Sequence, residues 1–216
     1  LWKQDQSRNL KQKFPINFKT RNGARFTAAI MNDGTLTKNG IHGGYGRLMY
    51  DNFDDSLRES VIKDYLTIFG GDKNEIAFRF SANKRYLEFS SVIRDIMELI
   101  LKSKGPKSES NLEIPSFIFE NKDTMAGWIE QTIADEGEVK NYPLKSYADK
   151  YRRAIIWRRS LDVTDKIKEK INKERPLRRL PLKIQKIVQN QKCNLIEGEK
   201  QILETFGIAY KIYNLG

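Results

Sequence analysis

The sequence has 216 residues, with 39 Lys or Arg against 28 Asp or Glu, so its formal net charge is +11. A chain of this length buries a core as one large domain or two small ones, and an aromatic content of 11% excludes a disordered chain. The single cysteine, Cys193, excludes a disulfide-rich secreted protein, and no apolar run reaches the roughly 20 residues of a transmembrane helix. We therefore expect an intracellular protein, cytoplasmic or organellar, and the basic excess favours nucleic acid as its partner.

The first half of the sequence predicts helices that alternate with pairs of strands. After a basic extension at residues 1–22, a run of small and apolar residues predicts a buried helix that ends at Asp33-Gly34. A capping box from Ser56 to Glu59 predicts the start of the next helix. The predicted order is helix, two strands, helix, two strands, helix, over residues 23–32, 35–52, 56–69, 75–81, 85–91 and 91–104.

The second half begins in the same way. Residues 123–136 predict another helix with small residues, which ends at Gly137, and a hairpin follows over 137–161. Further on, LETFG at 203–207 echoes LTIFG at 66–70, which indicates a weak internal repeat.

The spacing of the repeat predicts an insertion in the second half. The two acid-glycine junctions are 103 positions apart, whereas the glycines that end the echoed segments are 137 apart, and the difference of 34 falls in the basic segment near 163–192. The nine residues after Gly207 leave room for one strand over 209–215. In an alternative alignment, a helix at 163–174 is itself the counterpart of 56–69.

Two motif copies carry a family resemblance. FTAAIMNDG at 26–34 and IEQTIADEG at 129–137 each end a small-residue helix with an acid and a glycine, and each runs directly into a hairpin. They resemble the LAGLIDADG homing endonuclease family of the single-chain, two-motif type. In organisation the resemblance covers residues 20–216, although Gln131 stands where the motif has a glycine. It implies an α+β fold of two pseudo-symmetric αββαββα repeats, at 23–104 and 123–216 with a linker at 105–122, whose antiparallel sheets form a DNA-binding saddle.

The acids at the two helix ends are the candidate catalytic residues. Helices that pack closely need small side chains at their contact, which Ala24, Ala28 and Ala29 supply in the first copy. Acids that converge at two helix C-termini repel each other and oppose the helix dipoles, so the pair favours a bound cation, and hard oxygen ligands suit Mg²⁺. The resemblance implies one metal for each acid and one DNA strand cut by each, with the metal ligands Asp33, Glu136 and the backbone carbonyls of Asn32 and Asp135. In the plainer interpretation, both acids only precede helix-capping glycines.

The resemblance implies a monomeric, intron-encoded enzyme that cleaves double-stranded DNA at a long asymmetric site. The sequence leaves two alternatives open. One is a non-cutting relative, either an RNA maturase or a DNA-binding regulator with the same fold. The other is a basic scaffold that binds nucleic acid without sequence preference.

Basic and aromatic residues at outward strand positions are the candidate DNA contacts, although a solvated charged face explains any single one as well. These candidates are Lys38, Tyr45, Arg47, Arg79, Lys84, Lys140, Tyr142, Arg153 and Arg159. The resemblance further implies a basic residue near each scissile phosphate, Lys104 in the first half and Arg158 or Lys183 in the second. His42, within the glycine-rich stretch IHGGYG, is predicted to be a turn residue.

Overall fold

The computed structural model describes residues 15–37, 46–81, 84–102, 112–143, 151–159, 181–189 and 193–212. These residues form an α+β protein with antiparallel sheets, which confirms the predicted class. The first half contains α1 (Arg21–Asn32), β1 (Gly34–Leu36), β2 (Leu48–Asp51), α2 (Asp55–Phe69), β3 (Ala77–Ser81), β4 (Lys84–Phe89) and α3 (Ser91–Leu101). The second half contains α4 (Lys122–Glu136), β5 (Glu138–Pro143), β6 (Tyr151–Ile156), α5 (Leu182–Gln189) and α6 (Asn194–Thr205).

The helix ends follow from side-chain and glycine caps. The predicted capping box at Ser56 is wrong, because Asp54 caps α2: its carboxylate accepts hydrogen bonds from the backbone N–H groups of Ser56 and Leu57. Asp is as good an N-cap as Ser, and it stands two residues earlier in the chain. Both echoed segments end on a glycine with a positive φ, Gly70 at 70° and Gly207 at 65°.

The first sheet has four strands in the order β1-β2-β4-β3. Its register pairs Leu48 with Phe89 and Tyr50 with Leu87, and these four side chains are buried on one face. An aromatic cluster lies beneath that face, with Phe26 in edge-to-face contact with Phe89 at 5.5 Å between ring centroids. The opposite face is therefore the outward face of this sheet.

The second sheet has two described strands, β5 and β6. Val139 and Ile155 lie opposite each other in its register and are 65% and 48% exposed. The predicted last strand is wrong over residues 209–212, because residues 208–212 follow the Gly207 turn without strand pairing and with exposed side chains. The rest of that predicted strand, 213–215, lies outside the described residues.

The segment before α4, which was predicted as a linker, packs on the core where it is described. Ile114 and Ile118 are buried, and the Thr124 hydroxyl donates to the Ile118 carbonyl at 2.8 Å. The described residues that precede α1, 15–20, also pack on the core through Ile16 and Phe18. Among the helices that the structure describes, none has the length and apolar character needed to cross a membrane.

Candidate active site

Helices α1 and α4 lie side by side, and their small residues allow close contact. Ala24, Ala28 and Ala29 of α1 are fully buried. On α4, a methyl group added at Gly127 would collide with the backbone carbonyl of Arg21. The sequence identified this small-residue contact, although Gly127 rather than a residue at position 131 makes the close approach.

An ion-pair network holds the N-terminal part of α1 to its neighbours. The Arg25 guanidinium lies 2.9 Å from Asp64 of α2 and 2.7 Å from Glu130 of α4. The Asn22 amide also donates to Asp64 at 2.7 Å. Burial raises the pKa of the Asp64 carboxyl, and the hydrogen bonds and the charge of Arg25 oppose that shift. This network was not predicted, because its members are separated by tens of residues in the sequence.

The C-terminal ends of α1 and α4 meet at a pair of corresponding motif residues. The Asn32 side-chain amide donates to the Asp135 carboxylate at 3.2 Å, and the two residues are 103 positions apart. Asp33 and Glu136 have the same separation and each follows one member of this pair directly. The two predicted catalytic acids therefore stand at the same end of the helix pair.

Asp135 is a buried carboxylate that neutral groups hold in place. It accepts hydrogen bonds from the Tyr50 hydroxyl at 2.7 Å, the Gln131 amide at 2.8 Å and the Asn32 amide at 3.2 Å. Burial raises the pKa of Asp135 to about 6, Asp33 adds to the rise, and the three donors oppose it. Gln131, the departure from the family motif, thus has a role in this hydrogen-bond network.

Asp33 is hydrogen-bonded to residues at the end of β2. Its carboxylate accepts a hydrogen bond from the Asn52 amide at 2.9 Å, and its backbone carbonyl accepts one from the Asp51 N–H at 3.2 Å. Burial and the charge of Asp135, with a smaller effect from Asp33, raise the pKa of the Tyr50 hydroxyl. Tyr50 therefore remains a neutral donor beside these acids.

Glu136 has a cationic neighbour. The Arg159 guanidinium lies 3.5 Å from the Glu136 carboxylate, and it also binds the Glu199 carboxylate of α6 at 3.0 and 2.5 Å. Arg159 is 6% exposed and Glu199 is 2% exposed. Arg159 was predicted to face outward and contact DNA, but the structure places it in this buried cluster after β6, because the carboxylate of α6 draws the guanidinium inward.

The donor chemistry of this region fits a magnesium ion, because its candidate ligands are carboxylate and carbonyl oxygens. Mg²⁺ prefers oxygen ligands and keeps several waters, and the last turn of a helix offers carbonyl oxygens without helical partners. The described contacts of these acids include the Asn52 amide at Asp33 and the Arg159 guanidinium at Glu136. Within the described ranges, no three Asp, Glu, His or Cys side chains form a metal-binding group.

The predicted DNA contacts of the first sheet share its outward face where they are described. Arg47 is exposed just before β2 and lies 3.7 Å from Glu88. The register pairs Arg79 with Tyr86 and Ser81 with Lys84, and these positions lie opposite the buried face of the sheet. The predicted contacts Lys38, Tyr45 and Lys104, and also His42, lie outside the described residues.

The predicted contacts of the second sheet divide between its two faces. Lys140 pairs with Ala154 and Tyr142 pairs with Arg152, whereas Arg153 pairs with Asn141 on the other face, beside Val139 and Ile155. Lys140 and Arg153 therefore cannot both meet one DNA surface, and Arg152 is the basic position that the sequence analysis missed. The register of the hairpin is the signal that identifies it. Arg158 and Lys183 are both exposed, after β6 and on α5.

Neither protein-family models nor curated proteins give a match to this sequence. The resemblance to the LAGLIDADG family therefore rests on the two motif copies themselves. The structure adds three observations: α1 and α4 pack together, an acid follows the contact at the end of each helix, and a pair of strands follows each acid.

Proposed function

We propose that this protein is a sequence-specific double-stranded DNA endonuclease of the LAGLIDADG type. The observation that carries the proposal is the meeting of α1 and α4, where Asn32 contacts Asp135 and an acid follows on each helix. A pair of acids at adjoining helix C-termini is electrostatically unfavourable, and a divalent cation, which can also bind substrate phosphates, relieves that repulsion.

A saddle made from two antiparallel sheets is the proposed DNA surface. In the first half, the strand order and the outward positions of Arg47, Arg79 and Lys84 support it. In the second half, Lys140, Tyr142 and Arg152 share one face of the hairpin. With a net charge of +11, the chain would bind the phosphates of a long site by attraction and read bases through residues at these strand positions. One chain carries both motifs, so the proposed enzyme acts as a monomer on an asymmetric target.

The chain supplies the two acids and the side chains that orient them. Bound Mg²⁺ would stabilise the attacking water and the leaving oxygen of the phosphodiester. Asp33 would hold it in the first half, and Asn52 keeps that carboxylate oriented through its 2.9 Å hydrogen bond. Glu136 is the corresponding acid for the other strand, and Lys104, Arg158 and Lys183 are the proposed basic residues near the scissile phosphates.

A non-cutting DNA-binding regulator or RNA maturase is the second candidate. The observation that favours it is the ion pair of Glu136 with Arg159, because an acid that is already neutralised has less need of a metal. The same helices and sheets would then serve for recognition alone.

A selection followed by cleavage tests the proposal. Duplexes that bind the protein are selected from a random library in Ca²⁺, cloned into supercoiled plasmid and incubated with Mg²⁺. We expect double-strand cleavage by the wild type. Asp33→Asn or Glu136→Gln should reduce double-strand cleavage by about 100-fold or more, since each removes a metal ligand, while binding changes little. Glu120→Gln, at an exposed acid that lies outside both motifs, is the matched control.

The other outcomes separate the candidates. Undiminished cleavage by both acid variants would exclude Asp33 and Glu136 as the catalytic pair. Selected binding without cleavage in Mg²⁺ or Mn²⁺ would favour the regulator. Tighter binding to a structured RNA, measured in a separate assay, than to any selected duplex would favour the maturase. A library with no enriched sequence would indicate a scaffold without sequence preference.

A further inference from the structure

Glu199 is a buried carboxylate in the second half of the molecule. Helix α6 buries it together with Ile202 and Leu203. The helix lies close to the segment before α4 at Gly198, where an added methyl group would stand only 2.8 Å from the Ile114 side chain. With 2% of its side chain exposed, Glu199 cannot be solvated by water and needs partners within the protein.

Two side chains that follow β6 provide these partners. The Arg159 guanidinium binds one oxygen of Glu199 at 2.5 and 3.0 Å, and the Trp157 indole N–H donates to the other oxygen at 3.0 Å. Because Arg159 is itself only 6% exposed, its charge also requires a close partner of opposite sign. Arg159 and Glu199 therefore form a buried ion pair that has no net charge.

Glu136 contacts this ion pair more loosely. Its carboxylate lies 3.5 Å from the Arg159 guanidinium, which is further than the Glu199 carboxylate, and 31% of its side chain is exposed. One positive charge thus meets two negative charges, and the three sum to −1. Because Glu199 is buried, a cation can meet this excess negative charge only at Glu136.

We propose that Glu199 is a positioning residue for Glu136: it neutralises and holds Arg159, and so leaves the Glu136 carboxylate able to bind a divalent cation. The inference rests on the proposed function, in which Glu136 is a metal ligand. In the described part of the chain, Glu136 is the other acid that forms an ion pair with Arg159. Without the charge of Glu199, the guanidinium would pair with Glu136 and compete with the cation.

Binding of Mn²⁺ without DNA, followed by electron paramagnetic resonance of the free ion, tests this role. The measurements use an Asp33→Asn background, which removes the first acid, and adding Glu136→Gln should abolish the binding that remains. In this background Glu199→Gln should weaken Mn²⁺ binding by about tenfold or more, since the Arg159 charge is left to Glu136. Glu197→Gln, at an exposed acid of the same helix, is the matched control and should leave the affinity unchanged.

Removal of both charges of the ion pair separates this effect from misfolding. Glu199→Gln combined with Arg159→Gln leaves no unpaired buried charge, and the new amide at position 199 keeps an acceptor oxygen for Trp157. We expect this combination to restore the Mn²⁺ affinity of the Asp33→Asn background, a rescue that a merely structural role of Glu199 would not produce. If Glu199→Gln alone does not fold, the combination decides by itself, because reduced affinity would show that Arg159 is needed to orient Glu136.

Three results would each overturn the inference. The first is unchanged Mn²⁺ affinity in folded Glu199→Gln, and the second is a failure of the combined variant to recover the affinity. The third is the absence of Mn²⁺ binding in Asp33→Asn, or binding that survives the addition of Glu136→Gln, because either shows that Glu136 is not a metal ligand in the free protein.

Cleavage of a selected plasmid separates this inference from the proposed function. Cleavage by the wild type together with unchanged Mn²⁺ affinity in Glu199→Gln would overturn the role of Glu199 and leave the endonuclease standing. The expected loss and recovery of Mn²⁺ affinity without cleavage of any selected duplex would leave the role of Glu199 standing and overturn the endonuclease.

Discussion

Asp135 shows how a single carboxylate joins three elements. Its hydrogen bonds come from β2, α1 and α4, through Tyr50, Asn32 and Gln131. The sequence places Asp135 beside the acid-glycine junction, but it contains no sign that a tyrosine 85 positions away would bind it. Local motifs thus identify the acids, whereas the Tyr50 hydroxyl that binds Asp135 comes from a distant strand and cannot be derived from spacing.

The raised pKa of Asp135 predicts a stability change on amide substitution. A pKa of about 6, against an ordinary value of 3.8, means that ionisation opposes folding as the pH rises through this interval. Above pH 6 the penalty is about 3 kcal/mol by linkage. In EDTA, Asp135→Asn should therefore raise the free energy of unfolding at pH 7.5 by about 1–3 kcal/mol, with a smaller gain at pH 4.5.

Chemical denaturation at the two pH values measures this difference. The new amide keeps its acceptor oxygen for Tyr50 and Gln131, and rotation of the Asn32 amide provides an acceptor for its N–H group. Glu120→Gln, at an exposed acid, is the control and should show no such pH dependence. A variant less stable than the wild type at pH 7.5 would contradict the burial argument.

The helix pair depends on one close approach of backbone to backbone. The small residues of α1 and α4 were visible in the sequence, and so were the acids and hairpins that follow them. The sequence could not predict that Gly127 meets the Arg21 carbonyl, or that Gln131 replaces a small residue without opening the contact, because both depend on the rotation of one helix about its axis.

Gly127→Ala should destabilise the protein although alanine is the better helix former. In an exposed helix this substitution would stabilise by about 1 kcal/mol. Here the added methyl group collides with the Arg21 carbonyl, so we expect a net loss of about 1–3 kcal/mol in the free energy of unfolding. Thermal and urea denaturation measure it, with Ala134→Gly at an exposed position of α4 as the control. A gain in stability at Gly127 would show that the helices lie further apart.

Across the whole molecule, the first half is the more completely predicted one. Its alternation of helices and strand pairs could be predicted because its helices and the strands β1, β2 and β4 each bury one face. The second hairpin exposes Val139 and Ile155 instead, and alternation alone assigned Lys140 and Arg153 to the same surface although they lie on opposite faces. Without the register, the residues that share one face of a hairpin cannot be derived from sequence.

Two substitutions of equal charge test which face of the second hairpin meets DNA. Lys140→Ala should weaken binding to a selected duplex and lower the slope of log K against log salt by about one if Lys140 contacts a phosphate. Arg153→Ala on the opposite face should leave both quantities unchanged. Salt titrations by fluorescence anisotropy measure the slopes, and a larger effect of Arg153 would reverse the assignment of the faces.

The contact of Asn32 with Asp135 joins residues that stand at the same place in the two motifs but differ in chemistry. A homodimer of either half would set like against like, with two carboxylates facing each other if the second half paired with itself. The repulsion between these two carboxylates would disfavour that self-pairing, whereas the Asn32 amide and the Asp135 carboxylate attract each other. If the two halves were expressed as separate chains, this hydrogen bond would favour their heterodimer over a dimer of the second half.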